Sequence, residues 1–379
     1  MNKYFLTCPR GLEEVTSKQI SQYIQSSPIV DLGGVKFQGD KEDMYNVNLH
    51  SRTGMHLLQE IYSFNINSEK DIYKNIYNFS WDTILNPNKT FIIRTKSKSQ
   101  VFQNTNFITL KIKDAIVDNI RVKFGKRPSI NKLNPDIILS VLVKDKQVKI
   151  YIDSSGVPLF KRGYRNKVHK AALNESLAAG LILLSNWDRR SPFYDIMCGS
   201  GTIPIEAAMI AYNIPVGMFR DEFGFQKWDN YDSSLWDKII TDAKEKICFQ
   251  NDVPIYGSDY FKKNIELGRE SSRQMNISQK INFQSLDIKD FQPHKSNGII
   301  IINPPYGNRI GEEKIIQKLY KNIGDVLKTN CIGLDAYIFT GNLEAAKSIG
   351  LRSKQRIILK NGKIDCRLLH YPITSGKFK

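Results

Sequence analysis

Cysteine and histidine are both scarce in this chain of 379 residues, which has five of each. No two cysteines form a C-x-x-C pair, and the positions suggest no even disulfide framework. No histidines have the spacing that would place two metal ligands on one helix. We therefore expect a protein of a reducing cytoplasm without a metal site. The residues concerned are Cys8, Cys198, Cys248, Cys331 and Cys366, and His50, His56, His169, His294 and His370.

Long apolar runs are also missing. No stretch approaches the roughly 20 residues that a membrane-spanning helix needs. The N-terminus has only a short apolar stretch before Pro9, which argues against a secretory signal. Hydrophobic residues make up 41% of the chain and charged residues 25%, which is typical of a globular protein. The length predicts two or three domains.

Charge is plentiful but unevenly distributed. Lys and Arg outnumber Asp and Glu by 55 to 38, and the formal net charge is +17. Residues 89–170 carry +14 and residues 351–379 carry +7, whereas residues 1–88 and 171–350 carry −2 each. This asymmetry predicts a nucleic-acid-binding module attached to a nearly neutral one. A solvated basic surface and a membrane-surface patch are the alternatives, although no helix here pairs a basic face with an apolar aromatic one.

The N-terminal half predicts an α+β module. Residues 3–7, 11–25 and 29–38 are expected to form a strand, a helix and a strand interrupted at Gly33-Gly34, as a small βαβ-like unit. Further on, residues 89–99 are expected to form a strand that leads into a basic loop. The isoleucine spacing over residues 105–124 predicts a helix, and two strands at 137–143 and 147–152 are expected around a tight turn.

From residue 171 onward, short apolar runs alternate with helical segments. This alternation predicts a doubly wound α/β sheet with mostly parallel strands. A hairpin is expected at the end, because Asn361-Gly362 supplies the positive φ angles of a type I′ turn. The expected strands are 193–197, 254–259, 280–284, 298–303, 352–360 and 363–371, and the expected helices are 172–185, 202–212, 261–275 and 311–328.

A glycine-rich segment, DIMCGSGT at residues 195–202, lies between a predicted strand and a predicted helix. Its glycines would let the backbone approach a ligand, and the helix N-terminus offers free N–H groups. The segment lacks the G-K-[ST] of a phosphate-binding loop. One carboxylate without a lysine fits a ligand with an ammonium group and hydroxyls; the alternative is a tight turn without a ligand. The candidate ligand-binding residues are Asp195, Cys198, Gly199, Ser200, Gly201 and Thr202.

Acidic residues follow the next two predicted strands. Asp259 ends the second strand, where a carboxylate commonly accepts both hydroxyls of a ribose. Asp287 follows the third strand and could accept from the exocyclic amine of an adenine. Each of these residues could instead only cap a helix.

The segment Asn303-Pro304-Pro305-Tyr306 follows the fourth predicted strand directly. Two prolines stiffen the loop, so that the Asn303 side-chain oxygen and the Pro304 carbonyl can face one cleft. Two acceptors on the hydrogens of a planar amine favour the pyramidal, nucleophilic geometry, and Tyr306 offers a face for stacking a base. These four residues are the candidate catalytic residues; the alternative is a proline-rich turn.

Together these two motifs resemble those of class I S-adenosylmethionine methyltransferases that act on exocyclic amines. The segments TCPRGLEE (7–14), KRGYR (161–165), ALNESLAAGLILLSNW (172–187) and GMFRDEFGFQKWDNYDSSLW (217–236) extend the resemblance over essentially the full chain. They are similar to the THUMP-containing, RlmL-type 23S rRNA guanine-N2 methyltransferases. Two sites depart from that family: Ile196 replaces a frequent proline, and Asn174 a frequent lysine. The longer relatives fuse a second methyltransferase domain, so the end at Lys379 implies only the first activity.

The resemblance implies a ferredoxin-like piece at residues 1–43, a THUMP RNA-binding domain at 44–155 and a Rossmann-like methyltransferase domain at 156–379. It also implies S-adenosylmethionine as cofactor and 23S rRNA, or a large-subunit assembly intermediate, as partner, with no membrane and no metal. The target base would be splayed out of its stack. The basic side chains expected to bind RNA are Lys96, Lys98, Lys111, Lys123, Lys126, Arg127, Lys161, Arg162 and Arg165.

Three other functions remain open. The chain could be a tRNA guanine-N2 methyltransferase, which would use the same parts. It could be an adenine-N6 DNA methyltransferase, which the second motif fits equally, although the RNA adaptor argues against it. It could also be a binding protein with a vestigial pocket, although the intact motifs argue against this.

Overall fold

The computed structural model describes residues 1–165, 173–250, 252–307 and 313–375. The strands within these ranges form two sheets, one of eight strands in the N-terminal half and one of seven in the C-terminal half. The predicted fold class, an α+β region followed by a mostly parallel α/β sheet, is confirmed.

The first sheet is continuous across the N-terminal half. It consists of β1 (Asn2–Thr7), β2 (Ile29–Asp31), β3 (Gly34–Gly39), β4 (His56–Asn65), β5 (Thr90–Ser97), β6 (Ser129–Ile130), β7 (Ile137–Lys144) and β8 (Gln147–Asp153). Their order is β2-β3-β1-β4-β8-β7-β5-β6. Because β4 pairs with both β1 and β8, it joins the N-terminal strands to those of the basic region. The helices of this half are α1 (Glu13–Ile20), α2 (Lys41–His50), α3 (Glu69–Tyr77) and α4 (Thr105–Phe124).

The first 39 residues differ from the predicted βαβ unit. β1 and β3 are antiparallel, with Asn2 opposite Gly39. The chain reverses in a hairpin between β2 and β3, at Gly33, whose φ is 83°. The prediction is wrong because the chain reverses at Leu32 and Gly33, so that Gly34 begins a second strand and is not an irregularity within one strand.

The basic region follows its prediction closely. The helix expected over 105–124 is α4, whose four predicted isoleucines are buried. The Asn104 side chain accepts from the Phe107 backbone N–H at its start, and Gly125, with φ of 70°, ends it. The two strands expected around the turn are β7 and β8, which pair antiparallel.

The second sheet carries the candidate site. Its strands are β9 (Phe193–Asp195), β10 (Ile255–Asp259), β11 (Asn282–Ser285), β12 (Ile299–Ile302), β13 (Asp335–Thr340), β14 (Gln355–Asn361) and β15 (Ile364–Pro372). The order is β11-β10-β9-β12-β13-β15-β14, and β15 runs antiparallel to both of its neighbours, β13 and β14, whereas the other neighbouring strands are parallel. The expected C-terminal hairpin is thus confirmed. The helices are α5 (Glu175–Leu184), α6 (Thr202–Ala211), α7 (Ser233–Glu245), α8 (Lys262–Gln274), α9 (Glu313–Asn330) and α10 (Leu343–Lys347).

Apolar side chains fill both faces of the second sheet. One cluster includes Ile301 and packs against α5, α6 and α8. The other includes Ile300 and Ile302 and packs against α9 and α10. This two-sided burial explains the uninterrupted apolar run of β12, because both faces of a doubly wound sheet are covered by helices.

The two halves are joined by side chains from α7 and from the segment before it. The ring of Phe225 lies 4.4 Å from that of Tyr45 in α2, and Trp236 packs edge-on against the same tyrosine. The guanidinium of Arg220 lies over the Phe223 ring and donates to four carbonyls of the chain that leaves β8. These carbonyls belong to Ser155, Val157, Pro158 and Lys161.

Candidate active site

Three predicted site residues end or directly follow neighbouring strands of the second sheet. β9 ends at Asp195, β10 ends at Asp259, and Asn303 follows β12. These strands are parallel and adjacent, so their carboxyl ends lie at one edge. The strand order reverses between β9 and β12, which is where open α/β sheets bind ligands.

The glycine-rich segment turns from β9 into α6. Gly199 and Gly201 have positive φ angles of 53° and 80°. A Cβ on Gly201 would meet the Phe283 ring at 2.8 Å, so this glycine is required by packing as well as by conformation. A Cβ on Gly199 would meet nothing within 4 Å. Open space beside the backbone at Gly199 leaves room for a ligand.

Asp195 is a buried carboxylate, 1% exposed. Its Oδ1 accepts from the Met197 backbone N–H at 3.2 Å. Burial raises the pKa of the Asp195 carboxyl well above its usual value, and the negative charge of Asp259 raises it further. A cationic group bound beside this carboxylate would stabilise its ionised form.

The carboxylate of Asp259 ties the end of β10 to the glycine-rich turn. Its Oδ2 accepts from the Gly199 backbone N–H at 3.0 Å. Its Oδ1 accepts from the Phe261 backbone and from the side chain of Asn264, both at 2.9 Å. The side chain is therefore held in place, and its predicted contact with a ribose would add to these bonds.

Asp287 makes a local contact after β11. Its Oδ1 accepts from the Lys289 backbone N–H at 3.0 Å, capping a short 3₁₀ turn, Ile288–Asp290. This is the contact that a strand-end aspartate commonly makes, and the contact with an adenine amine stays a prediction.

The Asn-Pro-Pro-Tyr loop brings its first and last residues together. The Tyr306 hydroxyl donates to Asn303 Oδ1 at 2.9 Å. The Tyr306 ring is half-buried and stands edge-on to Phe339, with centroids 6.4 Å apart. Burial, with a smaller effect from Cys366, raises the pKa of the Tyr306 phenol above its ordinary value. The hydroxyl is thus a stable donor at neutral pH.

Asn342 is a site residue that the sequence did not predict. It follows β13, and its Nδ2 donates to the Tyr306 backbone carbonyl at 2.8 Å. Its Oδ1 accepts from the Ala345 backbone N–H and so caps α10. The sequence signal was the polar Thr340-Gly341-Asn342 after an apolar run, but β13 itself had not been predicted.

Arg165 supports the start of α6. One guanidinium nitrogen lies 3.1 Å from the Glu175 carboxylate, and another donates to the Thr202 hydroxyl. Burial raises the pKa of Glu175, and the charge of Arg165 partly offsets this. Both side chains are about nine-tenths buried, so the pair lies against the glycine-rich segment at the start of α6 and not in solvent.

The basic residues expected to bind RNA do not form one patch. Lys96 and Lys98 lie at the carboxyl end of β5, near the start of α4, whereas Lys126 and Arg127 follow its end. An α-helix of 20 residues spans about 30 Å. The two groups, at opposite ends of the helix, are therefore separated by nearly this length.

Arg162 corrects the predicted RNA surface. Its side chain is 1% exposed and pairs with Glu206 at 3.3 Å. A buried guanidinium cannot reach a phosphate, so the prediction of an RNA contact is wrong for Arg162. Arg165 also points inward, whereas Lys161 is exposed. Residues 166–172, which follow Arg165, lie outside the described residues.

Two kinds of feature are missing from residues 1–165, 173–250, 252–307 and 313–375. No group of three or more His, Cys, Asp or Glu side chains is arranged there to hold a metal ion. No helix in the same part of the chain has the length and apolar character needed to cross a membrane.

Comparisons with known proteins agree along the whole chain. Residues 162–370 match the RMKL-like methyltransferase domain, residues 67–153 the THUMP domain and residues 3–58 the RlmL ferredoxin-like domain. A candidate RNA methyltransferase of Synechocystis is 34% identical over 370 residues, which cover 98% of this chain and 96% of that protein.

Two other proteins are informative. The ribosomal RNA large subunit methyltransferase K/L of Psychromonas ingrahamii is 35% identical over 379 residues. This match covers 99% of the chain but 50% of the relative, so the chain spans half of that protein's length. The crystal structure of a candidate methyltransferase, SMU.472, complexed with S-adenosylhomocysteine has a TM-score of 0.90 and 28% identity, over 99% of each chain.

The residues present fit such a ligand, because open space beside Gly199 adjoins a buried carboxylate that a positive charge would stabilise. The chain therefore belongs to the RMKL-like methyltransferases, with S-adenosylmethionine as its methyl donor, and it carries a THUMP domain behind an RlmL ferredoxin-like domain.

Proposed function

We propose that this protein transfers a methyl group to the exocyclic N2 amine of a guanine in 23S rRNA. The observation that carries this proposal is the Asn-Pro-Pro-Tyr loop, which follows β12 beside the glycine-rich turn after β9. A relative that matches 99% of this chain over half of its own length, and that is named as a ribosomal RNA large subunit methyltransferase, supports rRNA over tRNA as the substrate class. The THUMP domain supports RNA over DNA.

The proposed cofactor site lies at the carboxyl edge of the second sheet. Asp195 would hold the ammonium group of the donor, since this buried carboxylate is stabilised by a positive charge. The turn from Cys198 to Thr202 would lie against the methionine moiety, with Ser200 between the two glycines. Asp259 would accept from the ribose hydroxyls, and Asp287 from the adenine amine. The bound donor supplies a methyl group activated by its positively charged sulfur.

The proposed catalytic loop orients the target amine. Asn303 Oδ1 has two lone pairs, of which the Tyr306 hydroxyl uses one. The second lone pair and the Pro304 carbonyl would accept the two amine hydrogens. This pairing would localise the nitrogen lone pair, so that the amine could take the methyl group that the bound donor would supply, and the methylated amine would then lose one proton to water. Pro305 stiffens the loop, and the Tyr306 ring borders the base.

Residues 44–155 are the proposed RNA-binding unit and residues 156–379 the proposed catalytic unit, with residues 1–43 as the ferredoxin-like piece. Exposed Lys96, Lys98, Lys126 and Arg127 would contact phosphates, which hold a structured RNA largely by shape. Lys111, Lys123 and Lys161 remain in the proposed set. Lys123 is also paired with Asp82 at 2.5 Å, so part of its charge is already neutralised.

The test is mass spectrometry of the nucleosides of rRNA, tRNA and DNA from cells with and without the gene. We expect one N2-methylguanine to disappear from 23S rRNA and to return when purified enzyme and donor are added. Loss of the modification from tRNA alone would assign the tRNA function. Loss of an N6-methyladenine from DNA would overturn the proposal.

A further inference from the structure

Helix α6 begins at the proposed cofactor turn and is gripped by side chains from outside the catalytic sheet. Its first residue, Thr202, closes the glycine-rich segment, and its last turn ends near Ile214. The Ile214 backbone N–H donates to the Met209 carbonyl at 2.9 Å, and Asn213 has a φ of 54°. This arrangement is a Schellman turn, in which the Met209 carbonyl accepts one backbone bond and keeps a second lone pair for another donor.

Arg52, from the loop between α2 and β4 of the N-terminal half, supplies that donor. Its Nη2 donates to the carbonyls of Met209 at 3.1 Å and Ile214 at 3.0 Å. A positive charge at a helix C-terminus is favourable, because the helix dipole is negative there. Arg52 is 8% exposed, and burial lowers the pKa of its guanidinium to about 10, so it stays charged at neutral pH.

Arg162 grips the middle of the same helix. Its Nε lies 3.3 Å from Glu206, which is fully buried on α6. The rest of its guanidinium donates to backbone carbonyls of Leu159, Ser51 and Arg52. The two arginines therefore form a closed chain of contacts: Arg162 joins α6 to the backbone of Arg52, and the Arg52 side chain returns to the end of α6.

Burying these charged groups costs more free energy than packing the two surfaces together with apolar side chains would. Of the two buried guanidinium groups, that of Arg162 pairs with the buried Glu206 carboxylate, whereas that of Arg52 is held by the carbonyl oxygens of Met209 and Ile214. Arg52 Nη1 and Glu206 Oε2 are buried and have no hydrogen-bond partner among the described residues. Apolar side chains of similar volume would join two surfaces without this cost, whereas arginine forks fix the position and direction of a helix.

We propose that Arg52 and Arg162 are positioning residues for the cofactor turn. They hold α6 at its middle and its end, so that residues 199–202 at its start have the geometry that binds the donor. The inference rests on the proposed cofactor role of that turn. It means that the N-terminal half contributes to cofactor affinity through a residue that touches neither cofactor nor RNA.

The experiment measures S-adenosylhomocysteine binding by calorimetry on full-length Arg52→Met, Arg52→Lys and Arg162→Lys, well below the melting midpoint of each variant. We expect Arg52→Met to weaken binding about tenfold, as for the loss of charge-assisted hydrogen bonds. Arg52→Lys should rescue part of this loss, because it keeps the charge but not the fork. The KM for the donor should rise, while kcat at saturation and RNA affinity stay near the wild-type values. Arg10→Met is the matched control, because this arginine of the same half is exposed.

A lower melting midpoint with an unchanged dissociation constant would overturn the proposal, because the arginines would then serve folding alone. If Arg52→Met does not fold, Arg52→Lys and Arg162→Lys provide the test: a lower melting midpoint with an unchanged dissociation constant in both would likewise overturn the proposal. Asp195→Asn, measured alongside, separates the two levels of the argument. If it leaves binding unchanged, the proposed cofactor site is wrong; if it weakens binding while the arginine variants do not, only the positioning role is wrong.

Discussion

The hydroxyl of Tyr306 donates to Oδ1 of Asn303 across 2.9 Å, within one four-residue loop. The tyrosine thus orients the amide that is proposed to align the target amine, in addition to offering an aromatic face. Since burial keeps its hydroxyl protonated at neutral pH, the bond does not depend on pH in that range. Tyr306 thus has two roles, as a hydrogen-bond donor to Asn303 and as an aromatic face, and a substitution that removes only the hydroxyl tests the first role by itself.

We predict that Tyr306→Phe, which keeps the ring and removes only the donor, lowers kcat about 2–10-fold, as expected for one hydrogen bond of about 0.5–1.5 kcal/mol. Asn303→Ala should lower kcat further, because it removes the acceptor of the target amine. Neither change should alter S-adenosylhomocysteine affinity. Single-turnover methyl transfer and calorimetry give the two quantities.

The double variant provides the control. If Tyr306 acts through Asn303, adding Tyr306→Phe to Asn303→Ala should cause little further loss. Additive losses would mean that the hydroxyl acts on the substrate directly, and wild-type turnover in Asn303→Ala would remove the proposed role of that residue.

We predict that Asp195→Asn stabilises the ligand-free protein at neutral pH while weakening S-adenosylhomocysteine binding. The pKa of this buried carboxyl is raised, so the folded state binds its proton more tightly than the unfolded state, whose pKa is about 3.9. The free energy of unfolding therefore falls as pH rises from about 4 through the raised folded-state pKa. Asparagine removes this loss, but it cannot neutralise an ammonium group.

Thermal melts of both proteins at several pH values check this prediction. The midpoint of Asp195→Asn should exceed that of the wild type at neutral pH, and the difference should shrink toward pH 4. A difference that grows as pH falls would contradict the assigned direction of the shift. Added ligand should stabilise the wild type more than the variant.

We predict that Asp259→Ala weakens S-adenosylhomocysteine binding roughly 10–100-fold, equivalent to about 1.5–3 kcal/mol for charge-assisted hydrogen bonds. Two effects act in the same direction, because the carboxylate also holds the Gly199 N–H of the cofactor turn. Asn264→Ala is a matched control that removes one of the partners of Asp259 but leaves its carboxylate. An unchanged dissociation constant in Asp259→Ala would reduce this residue to a structural cap.

Elements with a strong local signal were predictable. The isoleucine spacing of α4 and the Asn-Gly turn between β14 and β15 specify their structures within short stretches of chain. The four parallel strands β9, β10, β11 and β12 of the catalytic sheet were also recognisable, because they are short apolar runs followed by chemically distinctive residues. By contrast, β4 has mixed polar and apolar residues and depends on pairing with both β1 and β8, which are distant in sequence.

The contacts between distant segments could not be predicted for the same reason. Arg162 lies in a basic stretch of the sequence and was therefore predicted to contact RNA. In the structure it pairs in the interior with Glu206, 44 positions later. The local density of charged residues in the sequence does not predict which arginine pairs with a buried carboxylate from a distant segment. Asn342 is likewise recognisable only once β13 places it beside the Tyr306 carbonyl.

The final prediction concerns the two basic groups at opposite ends of α4. One variant combines Lys96→Glu with Lys98→Glu, and a second variant combines Lys126→Glu with Arg127→Glu. All four side chains are exposed. If RNA spans the helix, each variant should lower affinity for folded rRNA and flatten its dependence on salt, because fewer phosphate contacts release fewer counterions on binding. Each lost contact should reduce the slope of log K against log salt by about 0.9 for a duplex. Binding to a short single-stranded fragment should suffer less.

Fluorescence titrations of both RNAs at several salt concentrations decide between three outcomes. Equal losses in the two variants would mean that the RNA contacts both ends, nearly 30 Å apart along the helix. A loss in one variant alone would assign the RNA path to that end, and the unaffected variant then serves as the matched charge control. If both variants bind folded rRNA as tightly as the wild type, with the same salt slope, the basic excess is a solvated surface and the phosphate contacts proposed for these residues are wrong. S-adenosylhomocysteine affinity should remain at the wild-type value throughout, because both groups lie at the ends of β5 and α4 in the N-terminal half, whereas the proposed cofactor turn belongs to the second sheet.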